Sequence, residues 1–224
     1  MIVAIDGPSG AGKSSVAKVV ARELGFSCLD TGAMYRAVAW LALHDGVALD
    51  DNESLGHLAH DCDIRFGHED GEPVPKQVFV NDNDVTDAIR TAEIDKAVSP
   101  VSAAPAVREA LVYQQQKIGN AGNYVVEGRD IGTVVFPNAE VKVFLTASPE
   151  ERAHRRVRQN ADRCIGSIDY EEVYADLLRR DEADTNRATS PLKKADDAVE
   201  IDSTGDHIET VIAKICDLAK EKQA

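Results

Sequence analysis

The sequence predicts an α/β fold, an open parallel sheet with helices on both faces. Two observations favour this fold class: short apolar runs alternate with helical patterns along most of the chain, and the first run leads directly into a glycine-rich turn followed by a helical pattern. Ligands of such sheets bind at the carboxyl ends of the strands. We therefore expect functional residues just after Ile5, Asp30, Glu127 and Ala147.

The N-terminal part supplies two strand–helix units and a small insertion. The run MIVAI (1–5) precedes a helical pattern, and FSCLD (26–30) precedes a second one that begins near Thr31 and ends at Gly46. Residues 64–90 instead alternate apolar and polar side chains and contain turn-forming Asp-Gly and Pro residues. This change of pattern predicts a small antiparallel insertion.

The C-terminal part returns to alternating helices and strands. Helical patterns cover residues 91–119, with interruptions expected near Pro100 and Pro105. A strand then ends at Glu127, and VKVFLTA forms another buried strand. A basic helix begins after Ser148, whose hydroxyl and Glu151 form a capping pattern. A second polar helix, the strand AVEID and a final amphipathic helix complete the pattern.

Composition limits the classes of partner. The 224 residues are 43% hydrophobic, enough for one sizeable domain, and the formal net charge of −14 argues against nucleic acid polymers as ligands. No apolar run approaches the length of a membrane span, and no secretory leader pattern precedes the first strand, so we expect a cytoplasmic protein that does not bind membranes. The four cysteines are scattered, which predicts buried free thiols rather than a zinc site or disulfides.

The stretch IDGPSGAGKSS contains a phosphate-binding loop motif. The spacing G-x-x-x-x-G-K-S lies between a predicted strand and a predicted helix, which is the context that the motif requires. Glycines allow backbone N–H groups to turn towards a phosphate at the helix N-terminus. Lys13 would reach the β- and γ-phosphates, and the Ser14 hydroxyl would bind Mg²⁺. The residues assigned to ATP in the loop are Gly7, Pro8, Ser9, Gly10, Ala11, Gly12, Lys13, Ser14 and Ser15.

A group of arginines follows the other predicted strand ends. They occur in DTGAMYR, EGRD and the basic helix, and a planar guanidinium suits bidentate binding of phosphate. Arg180, Asp184 and Arg187 fall at i, i+4 and i+7, on one face of a helix. The Arg180–Asp184 spacing also fits an ordinary helix ion pair, and the EERAHRRVR run also fits a solvated surface, so both interpretations stay open.

Taken together, the motifs resemble those of bacterial cytidylate kinases, members of the nucleoside monophosphate kinase family of P-loop NTPases. The similarity runs from Ile5 almost to the C-terminus through IDGPSGAGKSS, DTGAMYR, VREAL, EGRDIGTVVFP, SPEERAHRR and RDEADTNR. It implies a single P-loop kinase domain over residues 1–224. The implied core spans residues 1–61, 99–151 and 168–224, with a monophosphate-binding insertion over 62–98 and a lid over 152–167.

The same resemblance implies roles for individual residues. Ser99, Arg108 and Asp130 would read the cytosine, while Arg180 and Asp184 would reach the sugar hydroxyls. The phosphate of CMP would lie among Thr31, Arg36, Arg129 and Arg187. ATP would also contact Arg152 and Arg156 of the lid, and Glu127 would lie beside the magnesium ligands. The residues expected to be catalytic are Lys13, Arg129, Arg180 and Arg187.

The implied reaction is Mg²⁺-dependent transfer of the γ-phosphoryl group of ATP to CMP or dCMP, by a monomeric enzyme. Two alternatives predict different behaviour. A kinase of this kind could instead use another acceptor such as UMP, AMP or a polyol. A nucleotide-gated binding module or switch GTPase would need only the phosphate loop, but the guanine-reading N-K-x-D motif is absent from the sequence and the downstream arginines would be unexplained.

Overall fold

The computed structural model describes residues 1–223 as two sheets surrounded by helices. The strands are, in chain order, β1 (Ile2–Asp6), β2 (Ser27–Asp30), β3 (Ile64–Gly67), β4 (Gln77–Val80), β5 (Asn83–Asp84), β6 (Tyr124–Gly128), β7 (Val141–Thr146) and β8 (Val199–Asp202). Five parallel strands form the main sheet in the order β2-β6-β1-β7-β8, and β3-β4-β5 form a small antiparallel sheet. The predicted fold class is confirmed.

Within residues 1–223, eight α-helices connect and cover these strands. They are α1 (Lys13–Leu24), α2 (Thr31–His44), α3 (Asn52–Asp61), α4 (Ala92–Ala103), α5 (Pro105–Gly119), α6 (Pro149–Arg163), α7 (Tyr170–Asn186) and α8 (Ile208–Gln223). Side-chain caps define several of their starts, as expected for Asp and Ser at these positions. Asp30 accepts a hydrogen bond from the amide of Ala33, and Ser148 accepts one from the amide of Glu151, which confirms the predicted cap of α6.

Apolar side chains cover both faces of the main sheet. On one face, Leu29 of β2 belongs to a cluster with Met34 and Leu111 of the helices, and the other face packs against a cluster that includes Val20 and Ile215. All five side chains are almost inaccessible to solvent. Because the strands of a parallel sheet are buried on both faces, their sequences are nearly continuous apolar runs. The two layers of helices therefore hold the sheet in place, together with the residues at the carboxyl ends of its strands.

The register of the sheet brings the predicted strand ends together. In β1, Ile5 lies opposite Glu127 of β6 and Val143 of β7, and Asp30 of β2 lies opposite Glu127 from the other side. A cavity of about 1010 Å³ opens at this edge. The carboxyl ends of four strands thus meet where the sequence predicted a ligand site.

Several local predictions differ from the structure. Helix α3 was not predicted, and neither was the π-helical turn Ile131–Val135. The expected break near Pro100 is wrong, because α4 continues through it to Ala103; proline there removes only one donor, close to the helix end. Three cysteines are buried, as predicted, but Cys164, the residue that ends α6, is exposed.

The predicted insertion and lid correspond to identifiable elements, although their boundaries stay predictions. The strands β3, β4 and β5 lie within 62–98, while α6 begins three residues before the predicted lid, at Pro149. In residues 1–223, none of the helices combines the length and the apolar character that crossing a bilayer would require.

Candidate active site

The phosphate-binding loop has the backbone conformation that its glycines predict. Gly7, Gly10 and Gly12 adopt φ values of 150°, 78° and 93°, which side-chain-bearing residues rarely adopt. A Cβ atom on Gly7 would lie only 1.9 Å from the carbonyl oxygen of Leu145 in β7. The loop therefore passes so close to the neighbouring strand that only glycine fits at this position.

Lys13 lies in the first turn of α1 and is buried. Its ammonium group donates a hydrogen bond of 2.7 Å to the carbonyl of Pro8, so the side chain folds back over the loop. Burial lowers the pKa of Lys13, the nearby Arg129 cation lowers it further, and Glu127 and Asp6 oppose these effects. A phosphate beside the loop would favour the charged lysine and raise its pKa again.

Ser14 and Glu127 form a polar pair beside the loop. The Ser14 hydroxyl donates a hydrogen bond of 2.8 Å to one carboxylate oxygen of Glu127. Burial raises the pKa of Glu127, and the Asp30 carboxylate adds to this effect. Within residues 1–223, the second carboxylate oxygen of Glu127 is buried without a hydrogen-bond partner. A divalent cation beside Ser14 would satisfy this oxygen, directly or through water, so the donor set fits Mg²⁺.

Arg36 and Arg129 face the cavity from two different elements. Arg36 of α2 forms an ion pair with Asp95 and donates to the carbonyl of Ile89 at 3.1 Å. Arg129 follows β6, and its Nε donates to Asp184 of α7 at 2.9 Å. Both guanidinium groups are thus oriented by acids while they line the cavity, and other N–H groups on each stay free for a ligand.

A second polar group lies deeper in the cavity. Arg108 of α5 is 2% exposed, and its guanidinium forms an ion pair with Asp130, which is 4% exposed. Arg108 also donates to the carbonyl of Ser102 at 3.2 Å and lies 5.3 Å from the centre of the Tyr35 ring. The other Asp130 oxygen lies 3.6 Å from Arg187. This arrangement presents a fixed cation and a fixed carboxylate together.

The remaining predicted residues surround these groups. Thr31 donates its hydroxyl hydrogen to the carbonyl of Glu127 at 2.7 Å, and Ser99 of α4 lines the cavity. Arg180 of α7 also lines it; burial, with repulsion from Arg129, lowers the pKa of Arg180 to about 10. Arg156 of α6 lines the cavity and forms an ion pair of 2.8 Å with Asp95.

These observations agree with the comparisons with known proteins. The sequence profile of the family described as cytidylate kinase matches residues 3–221. The chain belongs to the cytidylate kinase family. It is 48% identical over 223 residues to a cytidylate kinase from Carboxydothermus hydrogenoformans, covering 99% of this chain and 98% of that protein. It is 50% identical over 220 residues to a cytidylate kinase from Streptococcus suis, covering 98% and 96%.

A bifunctional relative is longer. The chain is 49% identical over 221 residues to a bifunctional pantoate ligase/cytidylate kinase from Trichormus variabilis, which covers 99% of this chain but only 41% of that protein. Among solved structures, a gluconokinase from Sinorhizobium meliloti has a TM-score of 0.50 at 13% identity, covering 99% of this chain and 93% of that one. At this identity the structural similarity concerns the fold alone.

Within this cytidylate kinase family fold, Arg152 lies elsewhere than the sequence led us to expect. It is 4% exposed and lies behind the loop, where it donates to the carbonyls of Ala147 and Ser9 at 3.0 Å each. It also pairs with Asp181 and is not among the described residues that line the cavity. Its contact with ATP stays a prediction, whereas its contact with the loop backbone is a structural observation.

Sequence reasoning missed two acids that support the site from outside the cavity lining. Asp6, at the end of β1, accepts hydrogen bonds from the amides of Ile131 at 2.7 Å and Gly132 at 2.8 Å. Its place at a strand end directly before the phosphate loop was a usable signal. Asp95 contacts several cavity arginines, but its position in the sequence has no comparable local signature.

Proposed function

We propose that this protein is an ATP-dependent cytidylate kinase, which transfers the γ-phosphoryl group of ATP to CMP or dCMP and releases ADP with CDP or dCDP. The observation that carries the proposal is the meeting of the phosphate-binding loop and five arginines, Arg36, Arg108, Arg129, Arg180 and Arg187, in one cavity. Family membership and the names of full-length relatives support it.

The donor side of the site is the loop at the start of α1. Residues 7–15 would surround the phosphates of ATP with backbone N–H groups, at the positive end of the helix dipole. Lys13 would pair with the β- and γ-phosphates, which explains why a lysine is buried at this position. Arg156 would contact the same phosphates from α6, because it lines the same cavity.

Magnesium would be held at Ser14. Among the described residues there is no group of three or more His, Cys, Asp or Glu side chains arranged to hold a metal. Mg²⁺ in nucleotide sites is commonly bound by one or two protein oxygens together with phosphate oxygens and water. Ser14 would supply one ligand and Glu127 would accept from the surrounding water shell. The metal neutralises charge on the transferring phosphoryl group when it is bound.

The acceptor side separates phosphate, sugar and base. Thr31, Arg36, Arg129 and Arg187 would surround the phosphate of CMP, and Arg180 with Asp184 would reach the sugar hydroxyls. Ser99, Arg108 and Asp130 would read the base. Arg108 and Asp130 support this role because both are almost completely buried yet line the cavity. Cytosine offers an amino donor next to ring acceptors, which matches a carboxylate next to a guanidinium.

Catalysis would depend on positioning and charge rather than on a general base. The second pKa of a phosphate monoester is about 6, so the attacking oxygen of CMP is already mostly ionised at neutral pH. Lys13, Arg129, Arg180 and Arg187 would stabilise the charge that spreads over the transferring phosphoryl group. Closure of the lid over both nucleotides would exclude water, the competing acceptor.

We further propose that the protein works as a cytoplasmic monomer on free nucleotides. The formal net charge of −14 supports small anionic substrates that are bound by local arginines rather than a polymer bound by a basic surface.

A coupled assay of ADP release across CMP, dCMP, UMP and AMP tests the proposal. The expected result is rapid turnover with CMP and dCMP and weak turnover with the other acceptors. Preference for UMP or AMP would show a different monophosphate kinase. Nucleotide binding without turnover of any acceptor would support the binding-module alternative.

A further inference from the structure

Asp95 lies at the centre of a cluster of arginines from three helices. Its two carboxylate oxygens contact Arg36 of α2, Arg156 of α6 and Arg180 of α7, the last at 3.9 Å. The sequence separations of Asp95 from Arg36 and Arg156 are 59 and 61 residues. One short side chain near the start of α4 therefore connects parts of the structure that are distant in sequence.

The carboxylate lies behind the arginines rather than in the cavity. Arg36, Arg156 and Arg180 all line the cavity, whereas Asp95 is absent from its lining within residues 1–223. Each guanidinium carries five N–H donors, and the contacts with Asp95 occupy only part of them. The arginines can thus keep their contact with Asp95 and still present donors to phosphate groups.

The electrostatics of the cluster also require this acid. Three guanidinium groups in one place repel each other, and repulsion from Arg129, Arg36 and Arg156 adds to burial in lowering the pKa of Arg180, while Asp95 opposes it. Burial alone would raise the pKa of Asp95, but Arg36 and Arg156 outweigh it and hold that pKa below its usual value. Asp95 is therefore ionised at neutral pH and offsets part of the repulsion.

We propose that Asp95 is a positioning residue for phosphoryl transfer, which holds Arg36 and Arg180 of the acceptor side and Arg156 of the donor side in one fixed arrangement. This inference rests on the proposed function. Transfer needs the donor and acceptor phosphates in line, and small displacements of the groups that hold them reduce the rate strongly. A shared carboxylate sets the spacing between arginines of the two substrates, which no residue confined to one site could do.

The test compares D95N with E93Q. Both substitutions remove one negative charge from the first turn of α4, but Glu93 is exposed and forms no ion pair with the cavity arginines within the described residues. E93Q thus controls for the loss of charge at the helix N-terminus. We would measure kcat and KM for CMP and ATP, CMP binding by calorimetry, and thermal unfolding for wild type and both variants.

We expect D95N to lower kcat roughly ten- to hundredfold while KM for CMP and ATP stays similar or falls. The reason for this split is that one negative charge is lost beside phosphate-binding arginines, which favours anion binding while alignment is lost. E93Q should behave like wild type. Calorimetry should show CMP bound by D95N at least as tightly as by wild type.

Other results would overturn the inference. Equal kcat in D95N and wild type would show that Asp95 does not align the arginines, and a loss of kcat that merely follows the folded fraction would make its role structural. If D95N does not fold, D95E provides the measurement, because it keeps the negative charge but displaces it by one methylene. We then expect a smaller fall in kcat than for D95N. An unchanged kcat in D95E would refute the inference. Failure of wild type to phosphorylate CMP would instead refute the proposed function.

Discussion

Replacement of Asp130 by asparagine should sharply narrow the preference for CMP over UMP. One oxygen of Asp130 is paired with Arg108, and the other is 3.6 Å from Arg187, which leaves the second oxygen available to a ligand. In the Asn variant, Arg108 can donate only to the amide oxygen, because an NH₂ group cannot accept from it. The amide nitrogen therefore takes the place of the second carboxylate oxygen, and an acceptor becomes a donor.

The magnitude follows from the hydrogen bonds gained and lost. The amino group of CMP would face a donor, and an unpaired buried polar group costs about 1–3 kcal/mol, so kcat/KM for CMP should fall roughly 5- to 150-fold. The O4 atom of UMP would gain a donor, worth about 1 kcal/mol or roughly fivefold. Wild type should favour CMP over UMP by about a hundredfold or more, since two mismatches oppose UMP.

The assay is kcat/KM for both acceptors with wild type and D130N. UMP serves as the internal control, because a loss of folded enzyme would lower both values by the same factor. Thermal unfolding measures any effect on stability, since D130N keeps a hydrogen bond to the buried Arg108 but removes the charge that is paired with it. An equal loss for the two acceptors would show that Asp130 only supports Arg108, and that the base is read by other residues.

Three further predictions concern the loop and the strand before it. K13A should lower kcat by orders of magnitude with a folded protein by circular dichroism, since one cation at developing charge contributes several kcal/mol; near-normal turnover would contradict the loop assignment. G7A should lower the thermal unfolding temperature far more than G46A, because a Cβ on Gly7 meets Leu145 whereas Gly46, also at positive φ, has nothing within 4 Å of its Cβ position. Burial raises the pKa of Asp6 to about 6, so the native state binds this proton more tightly than the unfolded chain. The contribution of Asp6 to the free energy of unfolding should therefore be greatest below about pH 4 and fall as the pH rises through 6, and urea unfolding of D6N should lack this part of the pH dependence.

The loop and the sheet could be predicted because their physical requirements restrict the residue types at neighbouring positions of the sequence. Backbone that approaches a phosphate and a neighbouring strand needs glycine, and Gly7 and Gly12 indeed have positive φ. Buried parallel strands need continuous apolar runs, and their ends fix where polar residues meet. The residues of each such pattern lie close together in the sequence, so a single sequence was enough to recognise them.

The helix α3 and the partners of the arginines could not be predicted in the same way. Only three residues of α3 are buried, so its apolar pattern is weak. Arg129 lies 55 residues from its partner Asp184, and Arg108 lies 22 residues from Asp130. Which acid meets which arginine depends on how α4, α5 and α7 pack against the sheet, and no local spacing records that packing.

The balance of charge in the cavity connects these pairings to phosphate binding. Asp95, Asp130 and Asp184 contact six arginines that line the cavity, so these nine side chains together carry three positive charges, within a chain whose formal net charge is −14. The six arginines are Arg36, Arg108, Arg129, Arg156, Arg180 and Arg187. This excess is sufficient to offset an acceptor phosphate, at about −2, and part of the charge on the transferring group. Loss of an arginine lowers this excess, whereas loss of an acid raises it. Variants that lose an arginine should therefore bind phosphate more weakly, and variants that lose an acid should bind it more tightly, even where both lower the rate. This difference distinguishes the effect of the charge of the site from the effect of its geometry.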